Sequence, residues 1–151
     1  MRYVLDTNIV SEFLKPDPNQ NAIWWAQDHN ADLLLNAVSI QELYFGIFTM
    51  PDSKRKARLK ESIDAIVQEC TDRILPFDAF SGYLCAEMHA LANAAGRPGT
   101  IEDLMIAAIC KRNEVVLATH NVKDFDHLGI EIVDPFEYES DLMKELRRRE
   151  M

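Results

Sequence analysis

Short apolar segments alternate along this chain with longer segments in which apolar residues recur every three or four positions. The segments 2–5 and 33–38 are predicted strands, and helical patterns follow from about Thr7 and Ser39. Further strands are predicted at 73–77, 114–119 and 130–133. Strands that alternate with helices form a mainly parallel sheet whose two faces are covered by helices. The pattern therefore predicts an α/β fold with three layers, α/β/α, around a central sheet.

Four acidic residues lie close to the predicted ends of strands or starts of helices. Asp6 directly follows the first strand, and Glu42 is predicted on the first turn of the helix after the second strand. Asp103 follows a loop rich in glycine and proline, and Asp124 lies a few residues beyond the strand 114–119. In open α/β sheets a ligand site lies beyond the carboxyl ends of the strands, so these carboxylates are predicted to converge. Clustered carboxylates favour a hard divalent cation such as Mg²⁺ and the hydrolysis of phosphodiester bonds.

Helix capping is the alternative explanation for each of these acids, and Asp6 is well placed to cap the helix after the first strand. Three patterns typical of helix N-termini end at the others: Ser39-x-x-Glu42, Thr100-x-x-Asp103 and Asn121-x-x-Asp124. Asp103 favours a ligand site, because its helical spacing from Ile106, Ala107 and Cys110 places it on an apolar stripe. A buried carboxylate needs a partner, and a shared metal ion is the economical one because no basic residue lies on that stripe.

Composition allows one domain and sets a condition on any nucleic-acid ligand. A chain of 151 residues that is 48% hydrophobic is long enough for one domain with a sizeable core. Its net charge of −9 argues against binding nucleic acid by charge alone, because Lys and Arg must neutralise phosphates. Bound Mg²⁺ would remove part of this objection. The one strongly basic segment, 54–60, either follows nucleic-acid phosphates or is a solvated helix face.

The cysteines and the N-terminal segment predict the compartment. Cys70, Cys85 and Cys110 have no metal-ligand spacing and lie in apolar helical segments, which is typical of buried thiols in a reducing environment. The N-terminal apolar stretch contains Asp6 and Glu12 and no basic segment precedes it, so no signal peptide is expected. No apolar run is long enough to span a membrane. We therefore expect a cytoplasmic protein that has no contact with membranes.

Four motifs occur in order along the chain: Leu5-Asp6-Thr7-Asn8, Ser39-Ile40-Gln41-Glu42-Leu43, Glu102-Asp103-Leu104-Met105-Ile106-Ala107-Ala108 and Ala118-Thr119-His120-Asn121-Val122-Lys123-Asp124-Phe125. Together they resemble the motifs of PIN-domain ribonucleases, most closely the VapC-type toxins of type II toxin–antitoxin systems, including the FitB-like branch. The resemblance covers about residues 1–138 and implies a PIN domain there, followed by a charged tail at 139–151. It implies a PIN-like fold and endonucleolytic cleavage of RNA that depends on Mg²⁺ or Mn²⁺.

The resemblance also predicts which residues do the chemistry. Four acids are predicted to bind the metal and to be catalytic: Asp6, Glu42, Asp103 and Asp124. The fourth position stays open, because Asn121 stands where FitB-like members have the fourth acid, whereas Asp124 matches the acid of other members. Hydrogen bonds from Asn8, Thr119 and Asn121 are expected to orient the carboxylates, although capping or turn formation explains these residues equally well. No catalytic role is assigned to the histidines, including His120, which stands where many relatives have Arg.

Partners follow from the same resemblance. It implies an RNA substrate, a small DNA-binding antitoxin, a homodimer and a larger toxin–antitoxin assembly. Trp24, Trp25, Tyr44 and Phe48 are predicted to offer aromatic surface to the antitoxin, although core packing would explain at least one of the tryptophans. Two alternatives remain at this point. The first alternative to a ribonuclease is a catalytically silent PIN-like subunit that binds partners or acts as a co-repressor. The second is a nuclease that acts on DNA, since a metal site recognises the phosphodiester and not the sugar.

Overall fold

A computed structural model describes all residues, 1–151, and has a five-stranded sheet at its centre. The strands are β1 Tyr3–Leu5, β2 Leu33–Asn36, β3 Ile74–Leu75, β4 Val116–Ala118 and β5 Ile132–Val133. They lie in the order β3-β2-β1-β4-β5, and every neighbouring pair is parallel. The predicted α/β fold with a central parallel sheet is confirmed.

Seven helices surround this sheet. They are α1 Thr7–Phe13, α2 Gln20–Asp28, α3 Ala37–Phe48, α4 Lys54–Glu69, α5 Ala79–Ala94, α6 Ile101–Asn113 and α7 Asp141–Glu150. A short 3₁₀ turn at Val122–Asp124 follows β4, where one turn of helix was predicted, and another lies at Pro135–Glu137 after β5. None of the helices combines the length and the apolar character that crossing a membrane would require.

The order of the strands reverses beside β1, and this reversal positions the site. From β1 the chain adds β2 and then β3 on one side, whereas β4 and β5 are added on the other side. Tyr3 of β1 therefore pairs with Leu33 of β2 and also with Val116 of β4. The backbone N–H of Asp6 continues the pairing by donating to the Ala118 carbonyl at 2.9 Å. The crevice beyond the carboxyl ends of β1 and β4 is the expected ligand site of such a sheet.

Alternate strand residues supply two hydrophobic clusters, one on each face of the sheet. Val4, Leu34 and Leu117 belong to a cluster of 16 buried residues that also contains the inner faces of α5 and α6. Their neighbours Leu5 and Leu35 belong to a second cluster of 6 buried residues, which lies against α1 and α2. Successive side chains of a strand point to opposite faces, so both faces are apolar where helices cover them.

Helix α3 begins two residues earlier than the sequence predicted, and this changes the place of Glu42. Asn36, and not Ser39, is the capping residue, because its Oδ1 accepts from the Ser39 N–H at 2.8 Å. The Asn36 amide also donates to the Leu5 carbonyl at 3.1 Å, so the end of β2 is fixed from two sides. The predicted Ser39–Glu42 capping box is therefore wrong. Glu42 lies on the second turn of α3 and not on the first.

The other capping predictions have mixed outcomes. Asp6 does cap α1, since its Oδ1 accepts from the Thr7 N–H at 2.8 Å. Thr100 caps α6 by accepting from the Asp103 N–H at 3.2 Å. The side chain of Asn121 makes no capping hydrogen bond to the turn that follows it, so that prediction is wrong.

Two further expectations concern aromatic and terminal segments. Trp25 is 1% exposed and belongs to the core, whereas Trp24 is 38% exposed. The prediction that Trp25 offers surface to a partner is therefore wrong, and the expectation that one tryptophan is core is confirmed. The tail forms helix α7, none of whose residues is buried. Cys85 and Cys110 are buried free thiols, as predicted.

Candidate active site

Three of the four predicted acids, Asp6, Glu42 and Asp103, line one open cavity of about 610 Å³. They come from the end of β1, the second turn of α3 and the first turn of α6. The rest of the wall is mainly polar and includes Asn8, Glu12, Lys15, His120 and Asn121. Because this cavity lies beyond the carboxyl ends of β1 and β4, the predicted convergence holds for these three side chains. We call it the acidic cavity.

Asp6 is held rigidly at the base of the acidic cavity. It is only 4% exposed, and its Oδ1 already accepts from the Thr7 N–H. Its Oδ2 accepts from the Thr119 hydroxyl at 2.8 Å and from the Asn8 amide at 3.1 Å. The Asn8 amide also lies 3.3 Å from Thr119 Oγ1, which ties the two donors together. Asn8 and Thr119 thus make the contacts that were expected of residues orienting a carboxylate.

A chain of hydrogen bonds fixes Glu42, and the sequence did not predict these contacts. The Thr7 hydroxyl donates to Glu42 Oε1 at 3.0 Å and lies 2.9 Å from Ser39 Oγ. Ser39 in turn accepts from the buried Asn36 amide at 2.9 Å. The one available signal was Asn36 itself, a polar residue that interrupts the apolar segment 33–38 and is fully buried. Thr7 and Ser39 gave no signal, because they are far apart in sequence.

The three acids of the acidic cavity are not neutralised by any basic side chain of the protein. The pKa of Asp103 is raised to about 6, chiefly because burial desolvates its carboxylate and next because the charge of Asp6 lies nearby. Burial also raises the pKa of Asp6 and of Glu42. None of these three acids forms an ion pair, and Lys15, the cation on the wall, is bound to Glu12 at 2.8 Å. Raised pKa values among clustered carboxylates are typical of functional sites.

Asp124, the fourth predicted acid, lies outside the wall of the acidic cavity. It is exposed on the 3₁₀ turn after β4, although its charge contributes to the raised pKa of Asp103 and of Asp6. Asn121 does line the cavity, and its backbone N–H donates to Thr119 Oγ1 at 3.0 Å. The carboxylates of Asp6 and Glu42 accept from Thr7, Asn8 and Thr119, so the hydrogen bond expected from Asn121 to a carboxylate is not formed. The structure therefore brings three of the four acids together and places Asn121, instead of Asp124, at the fourth side.

His120 also lines the cavity, although no role was assigned to it from the sequence. Its ring stacks on Phe136 with 3.8 Å between ring centroids, and its Nδ1 lies 3.2 Å from Asp134 Oδ2. Its backbone N–H donates to Asn8 Oδ1 at 3.3 Å. Asp134 follows β5, so only the pairing of β4 with β5 brings these residues together. Spacing in the sequence gave no signal for this contact.

The side chains of the acidic cavity fit a divalent cation by chemistry but are not closed around one. Carboxylate oxygens are the ligands that Mg²⁺ and Mn²⁺ prefer, and the unneutralised charge of Asp6, Glu42 and Asp103 favours a cation. As the side chains stand, no three acidic, histidine or cysteine residues are arranged to hold one ion together. Asp103 and Glu42 are half-buried, whereas Asp6 is fixed. Binding would therefore require these carboxylates to come closer together than they are.

Comparison with known proteins identifies similar sequences over almost the whole chain. The model of the PIN domain matches residues 3–131. The chain is 30% identical to the VapC ribonuclease Y4jK of Sinorhizobium fredii over 136 residues, which are 89% of this chain and 97% of that protein. It is 30% identical to the toxin FitB of Neisseria gonorrhoeae over 135 residues, which are 88% of this chain and 97% of FitB.

A solved structure is similar in fold over the same length. FitAB bound to an IR36 DNA fragment superimposes with a TM-score of 0.84 at 28% sequence identity, and the match covers 92% of this chain and 99% of that chain. The similarity in fold therefore extends over the part of the chain that contains the acidic cavity.

Proposed function

This chain belongs to the PIN-domain family, and on that premise we propose that it is a metal-dependent endoribonuclease that acts as the toxin of a toxin–antitoxin pair. The observation that carries the proposal is the acidic cavity, where Asp6, Glu42 and Asp103 meet and none of them pairs with a basic side chain. The relative Y4jK is named a VapC ribonuclease, and FitB is named a toxin. The first name supports a nuclease that cleaves RNA, and the second supports a toxin.

The residues of the acidic cavity have distinct parts in this proposal. Mg²⁺ or Mn²⁺, when bound, would neutralise charge that develops on the phosphate and would lower the pKa of a coordinated water. Asp6 is the fixed ligand, because three donors hold its two oxygens in place. Asp103 and Glu42 would supply the other two carboxylate ligands. Thr7 holds Glu42 Oε1 and leaves Oε2 without a protein donor, so Oε2 is free to bind the ion or to accept a proton from the attacking water.

Asn121 and Asp124 share the fourth side of the site in this proposal. Asn121 lines the cavity and offers a neutral amide, whereas Asp124 acts on the cavity from a distance through its charge. We propose that Asp124 is reached through water and does not bind the ion directly.

A cleavage assay tests the function. Purified protein with Mg²⁺ or Mn²⁺ should cut RNA at discrete positions, and EDTA should stop the cuts. Glu42→Gln and Asp103→Asn should each slow cleavage at least about a hundredfold, because each loses an essential charged group. Glu87→Gln is the matched control, since Glu87 is exposed on α5 away from the cavity wall, and it should cleave as fast as the wild type.

The same assay separates the two alternatives. Cleavage of single-stranded DNA in preference to RNA would identify a deoxyribonuclease. Wild-type protein that is as inert as Glu42→Gln on both substrates, with either metal, would overturn the catalytic proposal in favour of a silent binding or co-repressor subunit.

We further propose a small DNA-binding antitoxin as partner, with this chain as a homodimer inside a larger toxin–antitoxin assembly. FitB is named a toxin, and the similar FitAB structure contains DNA. Phe45 and Phe48 are each 62% exposed on α3 and provide apolar surface of the kind that partners cover. Co-expression with a small DNA-binding protein encoded beside this gene should give one complex on a sizing column. Separate elution at micromolar concentration would contradict the partnership.

A further inference from the structure

A second cavity of about 660 Å³ adjoins the acidic cavity and has no part in the chemistry described so far. It lies between α1, α3 and α4, and its volume is within the range of roughly 300–1,000 Å³ typical of ligand sites. Thr7, Ser11, Lys15 and Glu42 line both cavities. The two cavities therefore adjoin along a shared wall, so a long ligand bound in the second cavity would extend towards the acids.

One stripe of α4 forms the outer wall of this second cavity. Arg55, Arg58, Leu59, Ser62 and Ile63 all line it, and their spacing of three, four, seven and eight residues places them on one helical face. The two arginines are exposed at the start of the stripe, whereas Ile63 is buried at its far end. The wall thus changes from cationic to apolar along the helix.

The arginines of this stripe differ from Lys56 and Lys60 of the basic segment 54–60, which are paired, and from Lys54, which does not line the cavity. Lys56 is paired with Asp52 at 3.2 Å, and Lys60 is paired with Asp64 at 2.8 Å. Arg55 and Arg58 form no ion pair with any acidic residue of the chain. The chain has 25 acidic residues against 16 basic ones. Two free guanidinium groups in such an acidic chain, beside a cavity, indicate an anionic ligand.

Helix α3 supplies an apolar wall and open space opposite the arginines. Leu43 and Ile47 line the cavity from this helix, and Met50 lines it from the segment just after the end of the helix. Gly46 lies among them, and a Cβ atom added to it would meet nothing within 4 Å. The flat faces of a nucleobase are apolar and would pack against a wall of this kind. The arginines would bind the phosphates on either side of the base.

We propose that the second cavity binds the single-stranded RNA segment next to the bond that is cut, with Arg55 and Arg58 on its phosphates and a base against α3. The inference rests on the proposed function, because that function makes RNA the ligand and places the cut bond at the acidic cavity. Guanidinium groups bind phosphate oxygens in a bidentate manner. Such contacts fix the position of an RNA strand in addition to attracting it by charge. The net charge of −9 disfavours RNA binding by the chain as a whole. Arg55 and Arg58 place positive charge where the RNA strand would bind, which reduces this repulsion locally.

Two charge-matched variants test this assignment by binding and not by activity. Fluorescence anisotropy would follow a labelled single-stranded RNA of about ten nucleotides, within the range of single-strand sites, in EDTA so that cleavage does not occur. Arg55→Gln/Arg58→Gln should weaken binding at least about tenfold at low salt. It should also make the slope of log K against log salt shallower by about 1.4, the value for two lost phosphate contacts on a single strand. Lys56→Gln/Lys60→Gln removes the same formal charge and should leave both quantities near those of the wild type.

A third variant tests the cavity itself. Gly46 has helical backbone angles and open space beside it, so Gly46→Leu should fold normally and fill the cavity beside Leu43 and Met50. It should weaken RNA binding without a fall in melting temperature and without a change in the salt slope, because no phosphate contact is removed.

The outcomes that would overturn the inference are distinct from failure of the proposed function. Equal losses in the two double variants, or no loss in either, would show that Arg55 and Arg58 do not form a phosphate site. Loss of antitoxin binding with unchanged RNA binding in Arg55→Gln/Arg58→Gln would assign the cavity to a protein segment instead. If RNA binding depends on the arginines but no metal supports cleavage, the inference stands and the catalytic proposal fails.

Discussion

Asp6 shows that helix capping and membership of a functional site are compatible in one residue. One oxygen of its carboxylate caps α1, and the other accepts from Thr119 and Asn8 at the base of the acidic cavity. Capping therefore fixes the orientation that a ligand site needs. The sequence was sufficient to predict that Asp6 and Asp103 lie in one site, because each lies in a motif and beside an apolar pattern. It was not sufficient to predict Thr7 as the residue that positions Glu42, since that contact joins positions 35 residues apart.

At the scale of single residues, the raised pKa of Asp103 predicts that removing its charge stabilises the metal-free protein. A carboxyl with a folded-state pKa of about 6 binds protons more readily in the fold than in the unfolded chain. The free energy of unfolding therefore falls as pH rises from about 4, the unfolded pKa, to about 6, and stays low above that. At pH 7.5 in EDTA, Asp103→Asn should gain roughly 1 kcal/mol after allowance for partial exposure, or about 2–4 °C in melting temperature.

Metal should reverse this difference. Mn²⁺ or Mg²⁺ that binds the folded protein raises the melting temperature of the wild type by linkage, and Asp103→Asn should lose that rise. Exposed Glu87→Gln should behave as the wild type in both conditions. A variant that is less stable than the wild type in EDTA would contradict the raised pKa of Asp103, and a variant that keeps the full rise with metal would show that Asp103 is not part of a cation site.

At the scale of elements, the junction of β2 and α3 explains why the predicted boundary was wrong. Ala37 and Val38 suit a buried strand as well as the first turn of a helix, so the apolar pattern alone could not end the strand. Asn36 determines where the strand ends, because its buried amide needs hydrogen-bond partners and donates to the Leu5 carbonyl and to Ser39. Those partners depend on the packing of β1 beside β2. The helical patterns themselves were visible in the sequence, and what was missing was the position of their first turn.

The same junction yields a prediction about stability. Asn36→Ala removes a helix cap and leaves the Leu5 carbonyl and Ser39 without their buried donor, so it should cost about 2–3 kcal/mol. Asn19→Ala is the matched control, because Asn19 caps α2 through one hydrogen bond to the Ala22 N–H and should cost only about 1 kcal/mol. Urea unfolding of both variants measures the difference. Equal costs would mean that the buried amide contributes no more than an ordinary cap.

At the scale of the whole molecule, the tail and the domain are predicted to be separable. Every ion pair of α7 lies within the tail itself: Lys144 with Asp141, Arg147 with Glu139, and Arg148 and Arg149 with Glu145. No residue of this helix is buried. A chain ending at Tyr138 should therefore unfold within about 0.5 kcal/mol of the full-length protein, the usual range for changes to exposed surface. A loss of several degrees in melting temperature would show that residues 139–151 belong to the domain.

The parallel pairing of β1 with β4 sets the order in which this protein becomes complete during its synthesis. The hydrogen bond from Thr119 to Asp6 joins residues 113 positions apart, and β1 has no neighbour on that side until β4 has been made. A ribosome that has added the first hundred residues has therefore produced Asp6 and Glu42 but no cavity around them. The growing chain therefore lacks this cavity for most of its translation, and the complete sheet forms only near the end. Under the proposed ribonuclease function, late completion would keep the newly made chain from cutting the message and the ribosome that are still producing it.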